Sequence, residues 1–294
     1  MNSYRYIYNE NIELLENDLG LNGENLTIVI LTYNKSILTI RLLNSIKKHF
    51  KNFNGSVLLF DNNSDKTEKI KLKKYFETYP IKGNIYYSKK NLGIAGGRAK
   101  AFSLVKTDWI LSLDNDMYFI KNPIKDLNEC INKLGARFIN LPAYKNEKKE
   151  LFINGGKFRI INEDLLYVTA STFDKKVNYK IYFSTFIFGG SSLLNKYSYN
   201  LIGGYDNNFF VGYEDVDLSI RCYRAGIKVA NISKYTLVHE HLKFDDNLSK
   251  KYEKVRYNYK NIMKSVDYFS KKYNGRYTVL SKSEKAFLDR MNGG

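Results

Sequence analysis

Two carboxylates close a short apolar run in this chain, Asp114 and Asp116 in Trp-Ile-Leu-Ser-Leu-Asp-Asn-Asp, residues 109–116. A buried strand that stops at Asp-x-Asp delivers hard oxygen donors to the edge of a sheet. Neither carboxylate belongs in a core unless it is paired or metal-bound. Oxygen donors of this kind suit Mg²⁺ or Mn²⁺, ions that bridge a carboxylate to a diphosphate. The same residues also make a good Asx turn, so the pair alone does not decide between chemistry and punctuation. A second acidic pair, Glu214-Asp215, opens a helical stretch and could supply a general base. The bland reading there is an N-terminal carboxylate stabilised by the helix dipole. Asp217 stands four residues before Arg221 and reads as a structural pair. Two of the three histidines fall together in His239-Glu240-His241, where strand alternation puts both on one face.

The elements that would carry these residues alternate regularly. Leu26–Leu31 is an apolar, β-branched run of the kind buried on both faces. It leads through Thr32-Tyr33-Asn34 into a helix capped at Ser36, whose Leu38, Leu42 and Ile46 recur every four residues. Val57–Phe60 is a second strand and ends at Asp61-Asn62. Ile85–Ser88 is a third, followed by Asn91-Leu-Gly-Ile-Ala-Gly-Gly-Arg98 at the start of a helix. Trp109–Leu113 is a fourth. Alternating strands and helices imply right-handed βαβ units on a mostly parallel sheet, with ligands at the carboxyl ends of its strands. Farther on, Arg137–Leu141, an aromatic run Ile181–Phe188 leading into Gly189-Gly190, Ile227–Ile232 and Tyr235–Val238 read as strands. Short alternating segments at Leu151–Ile153 and Leu166–Val168 read as hairpins. A short helix is expected at Ile12–Leu19 and helical spacing in 250–270.

Composition narrows the classes. The 294 residues are 44% hydrophobic, enough for a sizeable core. The longest apolar run is strand-sized, and the N-terminus lacks a signal pattern, so a cytoplasmic protein is expected. Cys130 and Cys222 make no disulfide framework and read as buried thiols. The formal charge of +17 favours anionic partners, among them nucleotide phosphates and, peripherally, the inner face of an anionic membrane. The expected organisation is an N-terminal extension (1–25), one domain (26–244, divided into 26–118 and 119–244) and a helical C-terminal extension (245–294).

Five phrases in order carry a resemblance: Thr-Ile-Val-Ile-Leu-Thr-Tyr-Asn, Leu-Leu-Phe-Asp-Asn-Asn-Ser-Asp, Asn-Leu-Gly-Ile-Ala-Gly-Gly-Arg, Leu-Asp-Asn-Asp and Gly-Tyr-Glu-Asp-Val-Asp-Leu. Together, over residues 26–241, the chain resembles the inverting family 2 glycosyltransferases of the GT-A fold. The resemblance implies an α/β, Rossmann-like sheet flanked by helices, with a small antiparallel part. It implies transfer of a sugar from a nucleoside-diphosphate sugar, a UDP-sugar first among them, to a hydroxyl on a glycan, lipid carrier, wall polymer or protein. Asp61 would accept hydrogen bonds from the nucleobase, with Thr32, Tyr33, Asn34 and Asn62 in the same pocket. Asn91, Gly93, Asn115, Gly189 and Gly190 would line the donor, the last two by letting backbone approach the sugar. Arg98 would contact the diphosphate or steady Asp114. Asp114, Asp116 and His239 would hold Mn²⁺ or Mg²⁺, with His239 preferred to His241. Asp215 would be the base and Glu214 its support or an acceptor contact.

Three rivals make different demands. A sugar-nucleotide nucleotidyltransferase needs a glycine-rich phosphate loop straight after the first strand, where Thr-Tyr-Asn-Lys stands instead. A glycoside hydrolase also uses two carboxylates but needs no nucleotide pocket. A nucleic-acid-binding protein would show steep salt dependence that is indifferent to Asp116; nucleic acid is not an expected partner.

Overall fold

The structure is a computed structural model that describes residues 18–145, 150–153, 156–161, 164–169, 179–239, 250, 254–255 and 258–274. In the first half, β1 (Leu26–Thr32), β2 (Ser56–Asp61), β3 (Gly83–Tyr87) and β4 (Trp109–Asp114) alternate with α1 (Ser36–His49), α2 (Lys66–Glu77) and α3 (Gly93–Ser103). Then come β5 (Met117–Phe119), α4 (Ile124–Leu134), β6 (Phe138–Asn140), β7 (Ala143–Tyr144) and β8 (Leu151–Ile153). The hairpin β9 (Gly156–Ile161) and β10 (Asp164–Thr169) precedes β11 (Ile181–Ser184), β12 (Ser191–Asn195) and α5 (Lys196–Leu201). The described chain finishes with α6 (Glu214–Arg224), β13 (Val229–Ile232), β14 (Leu237–His239) and α7 (Tyr259–Lys272).

The main sheet has eight strands in the order β11-β13-β6-β12-β4-β1-β2-β3. β1 through β4 run parallel, and β12 lies antiparallel between β4 and β6. Period-two alternation sends Ile28, Ile30, Leu111 and Leu113 to one face and Val29 and Ile110 to the other. α1, α2 and α4 cover the first face through residues such as Leu42, Ile46, Leu72 and Leu127. α3, α5, α6 and α7 cover the second through Phe102, Tyr199, Leu218 and Phe269. Helices on both faces of a mostly parallel sheet are the layering its buried, β-branched strands require.

Register explains why one rim carries the polar residues. Thr32 pairs with Asp61, and Leu31 with Asp114, so β1, β2 and β4 all end on the same edge. A four-stranded sheet of order β5-β14-β7-β8 stands beside this rim and pairs His239 with Met117. That pairing puts β14 next to the loop carrying Asp116.

Two elements depart from the sequence pattern. The run expected as one strand over Ile181–Phe188 stops at Ser184, and Ser191–Asn195 forms a separate strand after the glycines. Side chains replace the ladder between them. Asn140 donates from Nδ2 to the Phe186 carbonyl (2.7 Å) and accepts from the Phe188 N–H (2.7 Å), and Ser219 Oγ accepts from the Ile187 N–H (2.9 Å). Such side-chain bonding competes with strand pairing. At α1, Lys35 rather than Ser36 holds the cap position in left-handed conformation (φ 52°). The Ser36 N–H is satisfied from a distance by Glu68 Oε2 at 2.7 Å. Cys130 and Cys222 are buried free thiols, and burial pushes Cys130 up to about 12. The helix expected at Ile12–Leu19 falls mostly outside the described residues, and of the helical spacing in 250–270 the described helix covers Tyr259 onward.

Asn140→Ala would strip bonds from the Phe186 carbonyl and the Phe188 N–H. The Phe186 carbonyl keeps the Ser184 hydroxyl as a donor (3.0 Å), so stability is expected to fall by about 1–3 kcal/mol for the orphaned Phe188 N–H, read as a shift in the urea midpoint. An unchanged midpoint would show that the 186–189 segment does not depend on this side chain.

Candidate active site

The loops at the rim line an open cleft. Tyr33, Asn62, Asn91, Gly93, Asp114, Asn115 and Asp116 line it, together with Leu31, Ile94, Phe210, Val211 and Val255. Thr32, Asn34 and Asp61 are fully buried, whereas their neighbours Tyr33 and Asn62 face the cleft. Asn62 ties two loops together. It donates from Nδ2 to Asn91 Oδ1 (3.0 Å) and to the Gly93 carbonyl (2.9 Å), and accepts from the Leu92 N–H (2.9 Å). Asn115 Nδ2 reaches both Thr32 Oγ1 and Thr39 Oγ1 at 3.2 Å. Asp61 accepts from the Ser64 N–H at 2.9 Å, and burial still raises its carboxyl above the ordinary value. Asp61 Oδ2 and Asn34 Nδ2 are buried polar atoms without a hydrogen-bond partner among the described residues.

The chemistry is concentrated around Arg98, which the sequence places at the start of a helix and the structure buries to 3% exposure. Its guanidinium meets Asp114 Oδ1 at 2.8 Å, Asp215 Oδ1 at 3.4 Å and Glu214 Oε1 at 3.6 Å. Of its two expected roles, holding Asp114 is the one this geometry contains. Asp215 is fixed further by the Gly189 N–H (3.0 Å to Oδ2) and the Tyr205 hydroxyl (3.3 Å to Oδ1). The guanidinium also stands 5.7 Å from the Tyr205 ring centre. Burial raises Glu214 to about 7, and the neighbouring Asp215 charge adds to the rise. Burial likewise raises Asp215. Burial alone would lower the guanidinium, and Asp114, Tyr205, Asp215 and Glu214 together more than reverse that, so Arg98 stays charged.

Gly189 and Gly190 have a tighter reason than access for a sugar. A Cβ on Gly189 would meet Arg98, Asp215 and Tyr205, and one on Gly190 would meet Asp114. The close approach they permit is therefore between backbone and this chain's own charged cluster. Gly93, at φ +73°, would likewise drive a Cβ into Phe210.

Asp116 and His239 come together from opposite ends of the domain, with Oδ1 and Nε2 3.1 Å apart. Arg41 donates to the Asp116 carbonyl (3.3 Å), and Phe152 packs edge-on against the His239 ring (4.8 Å). Among the described residues no three His, Cys, Asp or Glu side chains form a metal-sized group. Asp114, expected as a third ligand, is engaged by Arg98, and Glu240 and His241 lie outside the described residues. Asp217 pairs with Arg221 at 2.6 Å as its spacing implied. Tyr205, Asn140 and Ser219 belong to the site without having been singled out. Tyr205 follows the Gly203-Gly204 turn and has no spacing that marks it, so only folding reveals it.

Residues 27–200 match the family described as Glycosyl transferase family 2. The chain belongs to this family. Residues 166–243 also match a family described as N-terminal domain of galactosyltransferase. No curated protein matches the sequence. Among solved structures, the fold is similar to GalNAc-T7 with UDP, GalNAc and Mn²⁺ (TM-score 0.60, 16% identity, 74% of this chain and 44% of that one). It is also similar to residues 1–349 of TarS from S. aureus (TM-score 0.55, 15% identity, 73% and 60%). A third is the mannosyltransferase PcManGT from Pyrobaculum calidifontis in complex with GDP-Man and Mn²⁺ (TM-score 0.53, 13% identity, 83% and 64%). The chain spans less than two thirds of the length of each, and the likeness is one of GT-A fold. Among the described residues no helix is long and apolar enough to cross a membrane.

The raised Glu214 carboxyl makes stability depend on pH in a fixed direction. Its folded value lies above the ordinary 4.5, so folding favours the protonated form, and that stabilisation is lost as pH climbs from about 4.5 to about 7. Glu214→Gln is expected to flatten the decline in melting temperature between about pH 5 and about pH 8, leaving the share that belongs to Asp215. Parallel curves for variant and wild type would count against a buried, proton-binding Glu214.

Proposed function

We propose that this protein is a divalent-metal-dependent, inverting glycosyltransferase that moves a sugar from a nucleoside-diphosphate sugar to an acceptor hydroxyl. The observation that carries the reading is the convergence of Asp114, Glu214 and Asp215 on the buried Arg98 beside the cleft. This is an arrangement for holding one carboxylate ready at neutral pH. In this reading Asp215 Oδ accepts the proton of the acceptor hydroxyl as that oxygen attacks the anomeric carbon from the face opposite the diphosphate. The new C–O bond forms as the bond to diphosphate breaks, and the configuration inverts. Gly189 N–H and Tyr205 OH hold the base in one rotamer, and Glu214, protonated over much of the neutral range, spares it a second adjacent charge.

The nucleotide would enter the cleft between Tyr33, Asn62 and the Asn91–Gly93 turn. Asp61 Oδ2 as acceptor and Asn34 Nδ2 as donor, both buried beside the cleft lining, would complement the edge of a base with a ring N–H beside a carbonyl once the loops covering them open. UDP and GDP sugars both present such an edge, and a UDP-sugar is the donor proposed first.

Asp116 and His239 fit a metal on their spacing. Two cis ligands about 2.1 Å from an octahedral ion stand about 3 Å apart, and these stand 3.1 Å apart. Mn²⁺ or Mg²⁺ held there would neutralise charge growing on the leaving diphosphate. The remaining ligands would come from the donor and water. The acceptor is a hydroxyl on a glycan, lipid carrier, wall polymer or protein. Exposed Lys66, Lys71, Lys73 and Lys74 on α2 give the domain a basic face for peripheral contact with anionic headgroups.

Calorimetric titration of UDP and GDP with Mn²⁺ separates the roles. Asp116→Ala and His239→Ala are expected to weaken Mn²⁺-dependent binding. Asp215→Asn should spare binding and lower turnover by about 10²–10⁴-fold. Equal nucleotide affinity in all variants and in EDTA would refute the metal assignment.

A further inference from the structure

The two family matches end at residues 200 and 243, before α7 begins at Tyr259. Yet α7 grips the segment that carries the acidic pair at four successive points. Lys272 Nζ sits between Asp206 (2.7 Å) and Asp217 (2.6 Å), so one ammonium joins the loop before α6 to the first turn of α6. The Tyr268 hydroxyl donates to Asp206 (2.8 Å), and the Tyr273 hydroxyl to Asp217 (2.8 Å). The Phe269 ring packs on Phe209 at 6.4 Å and on Tyr213 at 5.4 Å, the residue immediately before Glu214. Asp217 is fully buried and also carries Arg221, so two acids are balanced by two cations. Burial would raise Asp206, and Lys272 with the Asn208 N–H more than reverses that, holding it down at about 2.

The gripped loop also forms the cleft. Phe210 lines it, and the Phe210 carbonyl accepts from the Ile94 N–H at 2.7 Å, joining the loop to the start of α3. Gly212 (φ +81°) and Tyr213 (φ +67°) both hold left-handed backbone, a turn that needs external support to keep one conformation. α7 supplies that support from the far side. Val255, also in the C-terminal extension, lines the same cleft, and its carbonyl accepts from Asn261 Nδ2 on α7 at 3.3 Å.

We propose that the C-terminal helix is a clamp on the active-site loop, and that Lys272 is a positioning residue holding residues 206–217 so that Phe210 walls the cleft and Glu214-Asp215 stay seated on Arg98. The proposal rests on the reading of Asp215 as the base. Lys272 touches none of the reacting groups. It acts by tying Asp206 to Asp217, and a neutral side chain there leaves the buried cluster with an unbalanced negative charge.

The test uses the full chain with Lys272→Met, Lys272→Arg and, as control, Lys234→Met, which strips a lysine from the equally buried Asp126 away from the cleft. Hydrogen exchange and steady-state kinetics with a nucleotide sugar turned over by wild type are compared. Lys272→Met should raise exchange in 206–217 at least about tenfold. It should also lower kcat about tenfold to a hundredfold beyond the control. Lys272→Arg, keeping the charge, should recover most of both. Where Lys272→Met does not fold, Tyr268→Phe should shift exchange the same way to a smaller extent. Exchange in 206–217 unchanged, or raised no more than in Lys234→Met, overturns the clamp. Wild type without turnover of any nucleotide sugar overturns the transferase reading instead, and the exchange result then decides the clamp alone.

Discussion

The structure depends on what surrounds one buried guanidinium. Arg98 is the shared counter-ion of Asp114, Glu214 and Asp215, and one cation cannot neutralise three carboxylates. In a buried site the excess must be relieved by protonation or by hydrogen bonds to the charged forms. Both are present. Glu214 takes up a proton near neutral pH, and Asp215 receives the Gly189 N–H and the Tyr205 hydroxyl. A hydrophobic trio would stabilise a fold at least as well, so such a cluster is weak evidence for stability and better evidence for use.

The constraint spreads outward through backbone. Gly189 must lack a side chain because Arg98, Asp215 and Tyr205 occupy the space, and the peptide there must point its N–H at Asp215. That orientation is set by Asn140 and Ser219, which hold the preceding residues outside any strand ladder. Ser219 also accepts the role of a bridge, donating to the Asp215 carbonyl (2.6 Å) one turn earlier on α6. The site is thus supported by polar side chains from β6 and α6, elements whose own sequences look like ordinary core.

On the other side of α6 the support comes from α7, beyond the residues matched to the family. Its Lys272 and its aromatic side chains contact the residues from Asp206 to Asp217 that connect the cleft wall to the acidic pair. In the proposed clamp the cleft, the acidic pair and the C-terminal helix act as one unit, although the sequence presents them as a domain followed by an extension.

The sequence by itself determined the layered architecture. Runs such as Leu26–Leu31 and Trp109–Leu113 are apolar on both faces and bounded by turn residues, and hydrophobic period dictates strands and helices locally. The fold family was also legible, because five ordered phrases mark the ends of strands and the starts of helices where register brings Thr32, Asp61 and Asp114 to one rim. Only tertiary structure decided the partners. Nothing in the spacing of Arg98 says that it serves three acids, nothing after Gly203-Gly204 marks Tyr205, and the strand expected through Phe188 ends at Ser184 because Asn140 and Ser219 take over its bonds. Local pattern reports burial, which each residue carries in its own chemistry. Pairing between distant charges and peptides is a property of the closed chain, and it exists only once β12 lies against β4 and α7 against α6.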